Sequence, residues 1–236
     1  MTRFAAGIAF VSLAAVFAAG PAVAADLVVV ESRGIALQAG QAVDGSQPLT
    51  LKDGQEVTLI APTGQMIKLH GPWDKPPVGR DVAADPDVGT ALKALLTQSL
   101  ARGERVGAVR GAAAEIVPPS PWLLDVTHVG VRCVAANAPI VFWRPEGTGA
   151  AALSVEPYDR SWRARAEWPA GVDRLEMPHT LPLTNRSTYI VSLNGKATAI
   201  TLVAIPAAAS NDAMRAAWMI EAGCDAQAQA LLQLAR

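Results

Sequence analysis

The chain has 236 residues, 51 % of them apolar, 17 % charged and only 5 % aromatic, with a formal net charge of −1. That length admits one large or two small domains. No stretch is strongly basic, which argues against nucleic acid or a polyanionic surface as partner.

The first residues read as an address. Arg3 precedes an uninterrupted apolar run from Phe4 to Ala19, Gly20-Pro21 breaks any helix, and Ala22-Val23-Ala24 offers small residues for cleavage. This is the pattern of an export signal over residues 1–25, cut after Ala24 or Ala25. A membrane anchor is the competing reading, but the run is short for a span of roughly 20 residues and ends in helix breakers. Cleavage removes Arg3 and leaves a charge of −2. No later segment approaches a membrane span, and the Ala-rich, Lys-poor composition is that of a bacterial exporter, so a periplasmic product is expected.

From Asp26 onward the pattern is of short strands. Leu27-Val28-Val29-Val30 suits a buried strand, Ser32-Arg33-Gly34 turns, Ile35-Ala36-Leu37 starts another extended piece, and Asp44-Gly45-Ser46 turns again. Leu49 to Trp73 organises this half: three strands joined by turns at Asp53-Gly54 and Pro62-Thr63-Gly64. In the last of them Ile67 and Leu69 point one way. Met66, Lys68 and His70 point the other, a candidate contact surface that Trp73 extends.

The succession of a strand, Gly40-Gln41, a Leu-rich strand, Asp53-Gly54, a hydrophobic strand, a Gly turn and another strand resembles a FecR-type domain. Gly64 to Trp73, GQMIKLHGPW, carries most of the likeness, which covers residues 27–73. The resemblance implies a periplasmic module of sensing, signalling or other envelope proteins.

Asp85 is a good N-cap before Pro86, and Val88, Leu92, Leu95, Leu96 and Leu100 recur at helical spacing up to Arg102-Gly103. The spacing predicts a helix over 86–102 whose apolar face covers the small sheet, closing a unit at residues 26–103. Residues 104–121, with Pro118-Pro119-Ser120-Pro121, read as a stiff linker.

Residues 122–206 are strands and turns throughout. About seven short strands, ending in the hairpin Tyr189–Leu193, Asn194-Gly195, Lys196–Ile205, predict an immunoglobulin-like β-sandwich. Residues 207–236 predict a helical hairpin: Ser210 or Asn211 caps a helix through Ala222, Gly223 ends it, and Asp225 caps a second. The whole chain is therefore expected to be mainly β.

The two cysteines, Cys133 and Cys224, are expected to form one disulfide in an oxidising compartment, with two separately buried thiols as the alternative. The bridge would pin the hairpin to the sandwich, worth roughly 4 kcal/mol by loop entropy.

The sequence carries no catalytic motif. No G-x-S-x-G elbow is present, and Ser154 and Ser192 fall inside predicted strands. His70, His128 and His179 stand on three separate elements, no zinc-ligand spacing occurs, and Gly147-Thr148-Gly149 lacks the Lys and helix of a phosphate loop. No cofactor or metal is expected. Glu156, Glu167 and Asp159 group with Trp162 and Trp168, a set that binds sugar or peptide if exposed and is ordinary strand-edge charge over core Trp if not. Arg160, Arg163 and Arg165 lie beside it.

The expected function is that of an exported, non-catalytic envelope module that binds an envelope protein or polymer. The alternative is a secreted hydrolase with an unrecognised site. The leader makes a direct test: mass spectrometry of the exported protein should find Ala25 or Asp26 as its first residue, and an intact Met1 terminus in the membrane fraction would reject cleavage.

Overall fold

A computed structural model describes residues 26–77, 94, 96–97, 116–136, 138–145 and 149–234. The expected leader and the first part of the expected linker lie outside the described residues, as does most of the helix expected over 86–102. Of that helix, Ala94, Leu96 and Thr97 are helical and Leu96 is buried.

The front half contains strands β1 (Asp26–Arg33), β2 (Ala42–Asp44), β3 (Leu49–Leu51), β4 (Glu56–Ile60), β5 (Met66–His70) and β6 (Trp73–Lys75). An antiparallel four-stranded sheet runs in the order β2-β1-β4-β5, and β3 pairs with β6 in a separate ribbon. Two expectations need correcting. Ile35 and Leu37 contribute half-buried side chains but no ladder, because the chain bends there. Leu49 to Trp73 holds parts of four strands rather than three, since Gly71 lets the backbone press against Lys52 and Trp73 opens a new strand. A Cβ at Gly71 would overlap the Lys52 carbonyl.

The sheet is buried on both faces. Val29 and Leu59 are register partners facing a cluster with Leu27, Leu51, Val57 and Leu69. Val28 and Ile60, the adjacent pair, face the opposite way into a second cluster. Alternation alone dictates that split, because successive side chains leave a strand on opposite faces.

The second half contains β7 (Leu123–Asp125), β8 (Gly130–Ala135), β9 (Val141–Trp143), β10 (Ala151–Pro157), β11 (Ala164–Trp168), β12 (Arg174–Glu176), β13 (Ser187–Leu193) and β14 (Lys196–Ile205). A five-stranded sheet, β11-β10-β13-β14-β8, stacks on a three-stranded one, β12-β9-β7. Leu153, Val155, Val191, Ile200 and Leu202 meet Phe142 and Leu124 between them. Asn194 and Gly195 take φ of 49° and 85°, as a type I′ hairpin turn requires. Tyr189 supplies an immunoglobulin-like corner: its hydroxyl accepts from the Thr184 amide at 2.7 Å and donates to the Pro182 carbonyl at 3.4 Å. Two pairings, β7 with β9 and β8 with β14, are parallel.

Helices α1 (Asp212–Ala222) and α2 (Asp225–Leu234) form the expected hairpin. Asn211 is the N-cap, accepting from the Met214 amide, and Gly223 takes the left-handed conformation at the end of α1. Met214, Trp218, Met219 and Ile220 sit in one buried cluster with Val28 and Ile60 of the front sheet and Cys133 and Ile205 of the sandwich. The hairpin therefore contacts both β units, and the Asn211 side-chain amide also donates to the Pro62 carbonyl in the β4–β5 turn.

Two devices fix α2 to the outer strand β8. Cys133 and Cys224 form the disulfide, closing a sequence separation of 91 residues. Gln227, 2 % exposed, accepts from the Cys133 amide at 2.7 Å and donates to the Cys133 carbonyl at 2.8 Å and the Pro121 carbonyl at 2.7 Å. Its amide thus satisfies the edge of β8 as a neighbouring strand would, where open backbone groups would otherwise be desolvated without partners. Gln227→Ala with the disulfide intact should lower unfolding free energy by about 2–4 kcal/mol, because a buried N–H and two carbonyls lose their partner. A shift below about 0.5 kcal/mol in a denaturant titration, within the range of an ordinary surface change, would contradict that role.

Candidate functional site

The contact residues expected from the sequence separate in three dimensions. β5 is an edge strand, and Lys68 and His70 are exposed along it. His70 faces its register partner Glu56, with Nδ1 3.4 Å from Oε1, and Arg33 approaches the other carboxylate oxygen at 3.8 Å. Met66 does not share this surface: it is half-buried against the α1 cluster, because the front sheet is covered on that face. Trp73 is half-buried against the opposite cluster and donates its indole N–H to the Lys75 carbonyl at 2.8 Å.

Trp162 and Trp168 also part company. Trp162 is half-buried, its ring centroid 6.0 Å from that of Tyr189. Trp168 is fully buried, so it offers no contact surface. Its indole N–H donates to the Val172 carbonyl at 2.9 Å, and the Arg144 guanidinium lies 4.8 Å above the ring. With Trp168 in the core, no paired aromatic platform for a sugar ring forms there.

The charged neighbours do gather. The outward face of β10, β11 and β13 forms a groove of 760 Å³ lined by Ala152, Ser154, Glu156, Arg163, Arg165, Glu167 and Ser192. Register sets its floor: Ser154 lies opposite Arg165 on one side and Ser192 on the other, and Ala152 opposite Glu167. At one end the nearly buried Glu156 accepts from Arg163 Nε at 2.6 Å. At the adjoining turn Arg160 is left-handed, and the Asp159 carboxylate accepts from the Ser161 amide at 3.0 Å. That backbone hydrogen bond, aided by the Ser161 hydroxyl, holds the Asp159 carboxyl below its ordinary range.

The histidines remain apart, but His128 has a carboxylate. Its Nδ1 is 2.7 Å from Oδ2 of Asp125, a residue 2 % exposed whose other oxygen accepts from the Thr127 amide and hydroxyl. Buried Arg132 clamps the same loop through the carbonyls of Asp125, His128 and Val131. Gly130 leaves room for it, since a Cβ there would lie 2.9 Å from Arg132 Nη1. The Thr127 hydroxyl, 3.0 Å from the same Nδ1 that meets Asp125, donates to that carboxylate. A nucleophile would have to reach Nε2 instead, and no hydrogen bond to Nε2 occurs among the described residues. The cluster builds a loop. Among the described residues no group of three His, Cys, Asp or Glu side chains converges as a metal site.

Sequence reasoning missed Gln227, Arg132 and Arg144. Only Gln227 left a trace, standing three residues after Cys224 and so on the same helix face once the disulfide is granted. No family model matches the chain, and no curated protein matches its sequence.

Arg144 donates to the carbonyls of Gly149, Pro169 and Val172 while covering Trp168. Arg144→Ala should therefore cost about 2–3 kcal/mol and red-shift Trp168 emission as water reaches the ring. An unchanged spectrum and midpoint would place the guanidinium outside the core's support.

Proposed function

We propose that this chain is an exported, non-catalytic module of the bacterial periplasm that binds an envelope protein through its front sheet. The observation that carries this reading is the open edge of β5: one side pairs with β4, and the other has no backbone partner among the described residues. Such an edge is a template for an added strand, and the exposed Lys68 and His70 beside it supply charge and hydrogen-bond donors for selecting one.

Two further features support export and binding. Both cysteines are consumed in one disulfide, the usual economy of proteins in an oxidising compartment. The FecR-type likeness of residues 27–73 falls on the sheet that owns the open edge, and that family's modules serve sensing and protein contacts in the periplasm.

Photo-cross-linking residues placed at Lys68 and His70 should capture one discrete protein in intact cells, while the same probe at Arg174, on the far sheet, should not. Lys68→Pro, which removes an edge N–H and stiffens the strand, should abolish the adduct without altering secretion. Adducts of equal yield from all three positions would reject a specific edge contact, and full retention of the leader in the cytoplasm would reject export.

A further inference from the structure

We infer that the groove on the outer face of β10, β11 and β13 is a binding site for a small zwitterion, an α-amino acid or dipeptide. It lies on a different sheet from the β5 edge and stands independently of the partner proposed there. Its 760 Å³ falls within the range of about 300–1,000 Å³ typical of small-molecule sites.

The charges in the groove divide into a pair already neutralised and a pair still open. Arg163 is committed to Glu156, so that end of the groove is neutral. Arg165 and Glu167 have no ion pair or hydrogen bond with any described residue, and the hydroxyls of Ser154 and Ser192 are equally unengaged. Arg165 and Glu167 are two residues apart on one strand, hence on one face and about 7 Å apart along it. The cation thus stands in the row with the two hydroxyls, and the anion stands one row further along, beside the methyl of Ala152.

That arrangement is complementary to a carboxylate and an ammonium at the two ends of a ligand one or two residues long. The Arg165 fork takes a carboxylate through two parallel N–H donors, and Ser154 and Ser192 supply further O–H donors. Glu167 takes the ammonium. Selectivity follows from the same pair: a simple carboxylate meets the Glu167 charge, and a simple amine meets that of Arg165, so a ligand carrying one charge is penalised. The floor beyond the two serines is of alanine side chains, which leaves room for the ligand's own side chain rather than reading it.

The test is titration of the mature, oxidised chain with alanine and with dialanine, followed by backbone amide shifts of Ser154 and Ser192. Saturable shifts with either probe support the proposal, and the tighter of the two tells whether one or two residues fit. N-acetylalanine and alaninamide, each lacking one charge, should bind at least tenfold more weakly. Arg165→Gln and Glu167→Gln should each cost tenfold or more, with thermal midpoints unchanged because both side chains are exposed, whereas Arg174→Gln on the other sheet should cost nothing. Absence of saturation with both probes, equal binding of the blocked analogues, or indifference to both substitutions would overturn the assignment. The Lys68 cross-link is read separately, so failure here leaves the partner reading standing, and the reverse holds.

Discussion

The fixing of the C-terminal hairpin to strand β8 is the constraint on which the arrangement of the described β units depends. A two-helix hairpin has two apolar faces and no means of burying them alone. Here Val28 and Ile60 of the front sheet, Ile205 and Cys133 of the sandwich, and Met214 to Ile220 of α1 share one cluster. The disulfide holds the hairpin at one point, and Gln227 satisfies the backbone around that same point. The covalent link restricts the unfolded chain over a 91-residue separation, which by loop entropy is worth roughly 4–5 kcal/mol. The amide prevents a different loss, the desolvation of an unpaired strand edge. One acts on the unfolded state and the other on the folded one.

Covering one region leaves others open. The hairpin takes the outer face of the five-stranded sheet near Val131, Cys133 and Val203, and it takes the Val28 face of the front sheet. Among the regions it leaves uncovered are the outer face of β10, β11 and β13 and the outer edge of β5. The two open regions differ in kind. The β5 edge offers backbone groups in a line, suited to a chain. The groove offers side-chain charges in register, suited to a small molecule. Buried polar groups elsewhere serve structure: Arg132 and Arg144 spend their donors on loop carbonyls, and Asp125 spends its oxygens on Thr127 and His128.

Much of the fold was legible residue by residue. Asn194-Gly195 forces its hairpin because only a few residue types accept two consecutive positive φ values. Asn211 and Gly223 bracket α1 for equally local reasons, a short acceptor side chain at one end and freedom from a Cβ at the other. Strand β12 escaped notice, being three residues, Arg174 to Glu176, with two of them exposed and hence no periodic signal. The groove was half legible. Glu156, Glu167, Arg163 and Arg165 stand close together along the chain, but Ser192 joins them only through the pairing of β13 with β10, 25 to 36 residues away in sequence.

By itself the sequence determined the succession of strands and turns and the ends of the hairpin helices, and it made one disulfide the expected state of the two cysteines. Each depends on local backbone preference or on counting. Tertiary structure alone decided exposure. Met66 and Lys68 share a face by alternation, yet α1 reaches one and not the other. Trp162 and Trp168 look alike from their neighbours, yet Arg144 and the sandwich core enclose only the second. The physical reason is that a side chain's periodicity is set by its own strand. Its burial is set by whichever element packs against that strand, and here that element comes from more than a hundred residues away for Met66, on α1, and from an arginine two strands earlier for Trp168.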